Sequence, residues 1–74
     1  MNRMKYLVVI EKGPKSYGAY VPDLPGCVAV AKTRPEVRKL IREAIALHLD
    51  DMHSRGERVP RPTAGAEFVA PQAA

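Results

Sequence analysis

The chain has 74 residues with 12 lysines and arginines against 8 aspartates and glutamates, a formal charge of +4, and a single cysteine. That length holds one small domain, an internal disulfide is impossible, and two histidines with one cysteine make no zinc-ligand spacing. The basic balance suits RNA, DNA or an acidic protein surface as well as ordinary solvated charge.

The first predicted element is a strand over Met4 to Glu11. Tyr6, Val8 and Ile10 share one face, while Leu7 and Val9 share the other. Both faces are apolar at the centre, so the strand should be either central in its sheet or covered on both sides. The same run is too short for a signal-peptide core or a membrane span. A cytoplasmic protein with no membrane partner is the expectation, and a lone cysteine is compatible with a reducing compartment.

Gly13 and Pro14 break the pattern. A second strand is predicted over Tyr17 to Val21, ended by Pro22, which cannot donate a ladder hydrogen bond. Pro25 and Gly26 fit the two central positions of a type II turn, proline setting φ and glycine accepting a positive φ. The third strand is predicted over Cys27 to Ala31. Three short strands with short connections point to an antiparallel meander.

The helix has the clearest boundaries. Thr33 and Glu36 form a T-x-x-E capping box, and Pro35 falls in the first turn. The helix should run from Arg34 to about Arg55 and stop at Gly56, with Pro60 and Pro62 preventing its resumption. Glu67 to Ala70 is a candidate fourth strand, and Pro71 to Ala74 a frayed tail. The expected fold is α+β, in the order β-β-β-α-β, a single domain over residues 1–74 with an ordered core from about 4 to 70.

At about 100° per residue, Val37, Ile41, Ala44, Ile45, His48 and Met52 form one helical stripe that should cover the sheet. Leu40 and Leu47 lie on one flank of it and Leu49 on the other. The apolar arc is wider than one sheet face needs. These three leucines are therefore candidate contacts in a homo-oligomer, a dimer or a tetramer, which would also support so small a core.

Catalytic chemistry is sparse. His48 lies within the apolar stripe without an identifiable second ligand, and His53 suits the helix C-terminus as a cation. The carboxylates do not converge as a metal-dependent nuclease requires, and no acid/base pair is evident. Ser16 and Ser54 have no identifiable base, and Cys27 reads as a small buried hydrophobe. No catalytic residue, metal or cofactor is expected. Tyr17 and Tyr20 have opposite parity on the second strand, so one should face outward. An outward tyrosine could stack on a base or anchor a protein interface, and the sequence leaves both open.

Three segments together resemble a known family. They are Tyr20-Val21-Pro22-Asp23-Leu24-Pro25-Gly26-Cys27, Glu43-Ala44-Ile45-Ala46-Leu47-His48-Leu49-Asp50 behind the Thr33 cap, and Gly56-Glu57-Arg58-Val59-Pro60-Arg61-Pro62. In this order they resemble the N-terminal domain of HicB-type antitoxins, over roughly residues 4 to 70. The resemblance implies a reduced ribonuclease-H-like sheet with one helix. It also implies a non-catalytic module that binds and occludes a HicA-type toxin, an RNA-cleaving protein with a double-stranded-RNA-binding-like fold. Many members add a C-terminal DNA-binding domain; here the chain ends soon after the last predicted strand, so direct DNA binding is not expected. An aromatic anchor beside an exposed turn is the composition of a binding hot spot. Tyr17, Tyr20, Asp23 and Leu24 are accordingly the candidate partner contacts. The alternative is an oligomeric domain binding RNA or a small ligand through its basic strand ends.

Overall fold

The computed structural model describes residues 4–72. Strands β1 (Val9–Lys12), β2 (Tyr17–Tyr20) and β3 (Val28–Ala31) precede a single helix, α1 (Arg34–Ser54). The strands form an antiparallel sheet in the order β1-β2-β3, with Val9 opposite Tyr20 and Tyr20 opposite Val28. The expected meander and helix are both present, and the fold is α+β.

β1 is shorter than its apolar pattern. Continuing the register toward the N-terminus places Leu7 opposite Pro22. Proline has no N–H to give, and the chain turns there, so residues 4–8 lie beside the sheet without entering the ladder. The candidate fourth strand at Glu67 to Ala70 is not formed. Phe68 and Val69 have strand-forming side chains, but Phe68 lies fully in solvent and Val69 is 78% exposed, and among the described residues neither belongs to a strand.

The ends of α1 follow from local chemistry. Thr33 is the N-cap: its Oγ1 accepts from the Glu36 amide at 3.3 Å and donates to Glu36 Oε1 at 2.7 Å. At the other end Gly56 takes φ +72°. Its amide donates to the His53 carbonyl, and the Glu57 amide donates to the Met52 carbonyl. This pair of bonds is a Schellman motif, and it needs a residue that tolerates the left-handed region.

Val37 and Ile41 are buried against Ala19, Val21, Leu24 and Cys27. Ala44, Ile45 and Leu49 pack on the margin of this core, as does Tyr17 from the sheet. The sheet residues under the helix are small: Ala19, Ala29 and Ala31. That brings α1 close over β2 and β3, the strands it chiefly packs on. β1 is left near the rim of the helix's footprint. Burial holds the Cys27 thiol above its ordinary pKa, so it is inert packing rather than a thiolate.

Candidate protein-binding face and the turn beside it

Small residues on the inner face of the sheet put large ones on the outer face. Strand alternation sends Ala29 and Ala31 toward the helix and Val28 and Val30 away from it. Val28 is 62% exposed and Val30 67%. The register aligns Val9, Tyr20 and Val28 in one row across the three strands. The next row pairs Val30 with Gly18, whose missing side chain leaves Val30 open on that side. A contiguous apolar patch on a sheet face, with one aromatic at its centre, is the composition of a protein-docking surface.

The parity of the tyrosines is now resolved. Tyr20 faces out and is 41% exposed, while Tyr17 turns inward and packs against the core. The two do not share a surface.

The turn after β2 is built from two overlapping reversals. The Leu24 amide donates to the Val21 carbonyl at 3.0 Å, and the Cys27 amide donates to the Leu24 carbonyl at 3.0 Å. In the second reversal Pro25 and Gly26 are central, and Gly26 has φ +85°, as a type II turn requires. The Val21 amide closes the loop by donating to the Cys27 carbonyl. This double reversal directs Leu24 inward, where it is one of the two most completely buried side chains. Leu24 is therefore a core residue and offers no side-chain surface to a partner.

Asp23 has a structural task. Its carboxylate accepts from the Thr63 amide at 2.9 Å, the Thr63 hydroxyl at 2.9 Å and the Ala64 amide at 3.0 Å. The two backbone amides, Ala64's first, hold its pKa below the usual value of 3.8. A carboxyl with a depressed folded-state pKa contributes stability above its unfolded pKa and loses it as pH falls through the folded value. The Thr63 and Ala64 amide resonances should thus shift on acidification with a midpoint below 3.8. A midpoint at or above that value would show that the carboxylate does not hold the segment.

The candidate oligomer contacts also separate. Leu40 and Leu47 are exposed on α1, whereas Leu49 is partly buried on the core margin. His48 and Met52 are half-buried. Among the described residues no group of three His, Cys, Asp or Glu side chains could hold a metal ion, and no helix is long and apolar enough to cross a membrane.

The residues missed by sequence reasoning are Val28 and Val30 on the outer face, and Thr63 and Ala64 as partners of Asp23. The alternation of valine with alanine in β3 carried the first signal: a helix packs closely on the alanines, so the valines must face away. No local signal connects residues forty positions apart.

Comparison with known proteins gives the family of the chain. A family described as HicB_like antitoxin of bacterial toxin-antitoxin system matches residues 6–73. A UPF0150 protein of Thermoplasma acidophilum is 39% identical over 62 residues, 82% of this chain and 90% of that protein. A UPF0150 protein of Helicobacter pylori is 46% identical over 46 residues, 62% of this chain and 64% of that protein. An uncharacterized 14.9 kDa protein of Haemophilus phage HP1 is 32% identical over 66 residues, and the match spans half of its length.

Proposed function

From the premise that the chain belongs to the HicB-like antitoxin family, we propose that it is a non-catalytic, cytoplasmic antitoxin module. It binds a small RNA-cleaving toxin of the HicA type and covers the toxin's RNA-binding surface. The observation that supports this reading most directly is the outward row of Val9, Tyr20 and Val28, extended by Val30. An apolar sheet face of this kind is stabilised by covering it with another protein. RNA recognition would instead draw on cationic groups around a stacking aromatic. Tyr20 and the exposed side of the turn are the contacts assigned to the toxin; Tyr17 and Leu24 support them from the core. Self-association belongs to the same reading, because Leu40 and Leu47 stay exposed on a single chain.

The test is co-expression with a HicA-type toxin encoded beside the gene. The two proteins should co-purify, growth should be restored, and toxin-dependent RNA cleavage should fall with added antitoxin. Binding should change little between 50 and 200 mM salt, as expected for an apolar interface. RNA affinity that drops steeply over that range through counterion release, with no toxin affinity, would replace this reading with the RNA-binding alternative.

A further inference from the structure

Three arginines of α1 have no counterpart within the chain. Arg34, Arg38 and Arg42 follow one another at intervals of one turn, and all three are exposed. A surface cation on a helix is stabilised by a carboxylate three or four residues away. Within α1 those positions hold Pro35, Val37, Lys39, Ile41, Ile45 and Ala46, or another arginine of the row. The ion pairs among the described residues both belong to Arg55. Like charges at this spacing destabilise a helix, and Arg34 lies in the first turn, where the macrodipole disfavours a cation. The charge of the row therefore works against the isolated helix.

The row borders a groove of about 670 Å³ between α1 and the chain leading into β1. Because α1 packs chiefly on β2 and β3, Val8 and Ile10 are only partly covered. With Ile41 and Ile45 they give the groove an aliphatic floor. Lys5 adds a fourth cation to the lining, and among the described residues no carboxylate lines it. At about 100° per residue, Glu36 and Glu43 fall on the far side of α1 from the row. The wall opposite the helix is held in place, since the Tyr6 hydroxyl donates to the Pro60 carbonyl.

We propose that this groove binds an extended acidic segment of another protein, with its carboxylates on Arg34, Arg38 and Arg42 and its apolar side chains on Val8, Ile10 and Ile45. Charge and spacing both select this occupant. An arginine fork takes a carboxylate through two parallel hydrogen bonds. Arginines one turn apart are separated by about 6 Å along the helix. Alternate residues of an extended chain are separated by about 6.6 Å. Acidic residues at every second position therefore meet the row in step, and the residues between them turn toward the floor. A nucleic acid would satisfy the charge but not the floor, because bases stack on aromatic faces and the four floor residues are aliphatic. The groove is also separate from the face assigned to the toxin. Val8 and Ile10 lie on the helix side of the sheet, whereas Val9, Tyr20 and Val28 lie on the other. An RNA-binding surface is itself cationic, so the arginine row would repel it. This second binding face does not depend on the antitoxin reading.

The test uses the full chain without toxin, and as probe a capped hexapeptide of alternating aspartate and leucine. Titration should give saturable binding that weakens with added salt as the ion pairs are screened. Amide shifts should map to residues 5–10 and 34–45 of the isotope-labelled chain. Replacing the leucines of the peptide by serine, or its aspartates by lysine, should each weaken binding at least about tenfold, since the floor and the row both contribute. Arg38→Glu should weaken binding by at least the same factor. The variant should melt no lower than the parent chain, because a glutamate at that position gains opposite charges four residues away on either side. The proposal is overturned by absent binding, by a serine peptide that binds as well, by shifts centred on Val28 and Val30, or by a fall in melting temperature for Arg38→Glu. Tighter binding of a uridine hexanucleotide at the same amides would replace the acidic segment with nucleic acid. Toxin co-purification is read separately, so failure here is distinct from failure of the antitoxin reading.

Discussion

Tyr20→Ala should weaken toxin binding by at least about 30-fold while leaving the isolated domain folded. The magnitude follows from position. Tyr20 lies in the middle strand, flanked by Val9 and Val28 in one row, with Val30 beside them. An aromatic at the centre of an apolar patch, ringed by side chains that exclude water, is where truncation costs about 2 kcal/mol or more. Each 1.4 kcal/mol is about tenfold in affinity. The change should come mainly from faster dissociation, because the encounter rate is set by longer-range charge. Within the domain the loss is limited to cross-strand contacts, each worth about 0.2–1 kcal/mol. Tyr17→Ala is the informative contrast. Its ring packs inward against the core, so its removal should lower the melting temperature and affect toxin binding only through folding. Surface plasmon resonance with matched thermal melts separates the two. Unchanged affinity for Tyr20→Ala would move the toxin interface off the outer sheet face.

The same pair of tyrosines shows where sequence reasoning reaches and where it stops. Alternation alone establishes that Tyr17 and Tyr20 point to opposite faces. Which face receives the helix depends on how α1 docks, and that is decided by Ala19, Ala29 and Ala31, which allow close approach. The helix boundaries were legible because Thr33, Pro35, Glu36 and Gly56 act through neighbours in sequence. Leu24 was placed on the surface because Pro22, Asp23, Pro25 and Gly26 surround it with turn-forming residues. Two reversals in succession bring the chain back on itself and drive that one leucine into the core. Propensity also overstated the strand at Glu67 to Ala70. Local preference exists there, but a strand requires an edge, and within one chain the segment leaves the sheet behind. Asp23 reads as a candidate partner contact because it lies in a turn beside a tyrosine. Its engagement with Thr63 and Ala64 depends on a chain path that no local pattern encodes.

The turn that buries Leu24 should also be sensitive to backbone strain, and Gly26→Val is its direct test. Gly26 holds φ +85°, in the region that a β-branched residue rarely enters. A Cβ built there meets no atom within 4 Å, so steric collision with neighbours contributes nothing and the penalty is conformational. Such strain costs about 1–3 kcal/mol. In a domain of this length each kcal/mol is about 4–8 °C of melting temperature, so a loss on the order of 10 °C is expected. The consequence extends beyond the turn. The Cys27 amide donates to Leu24 across this reversal, and Leu24 and Cys27 are both core residues. Relaxing the strain by re-forming the turn would withdraw Leu24 from Val37 and Ile41. Asparagine tolerates the left-handed region better than other residues with a Cβ, so Gly26→Asn should lose the least, Gly26→Ala more, and Gly26→Val the most. Thermal melts of the three variants read the series directly. Losses that rise with side-chain size, smallest for alanine, would mean that bulk matters rather than backbone conformation, and three unchanged melting temperatures would mean that Gly26 does not hold a positive φ in solution.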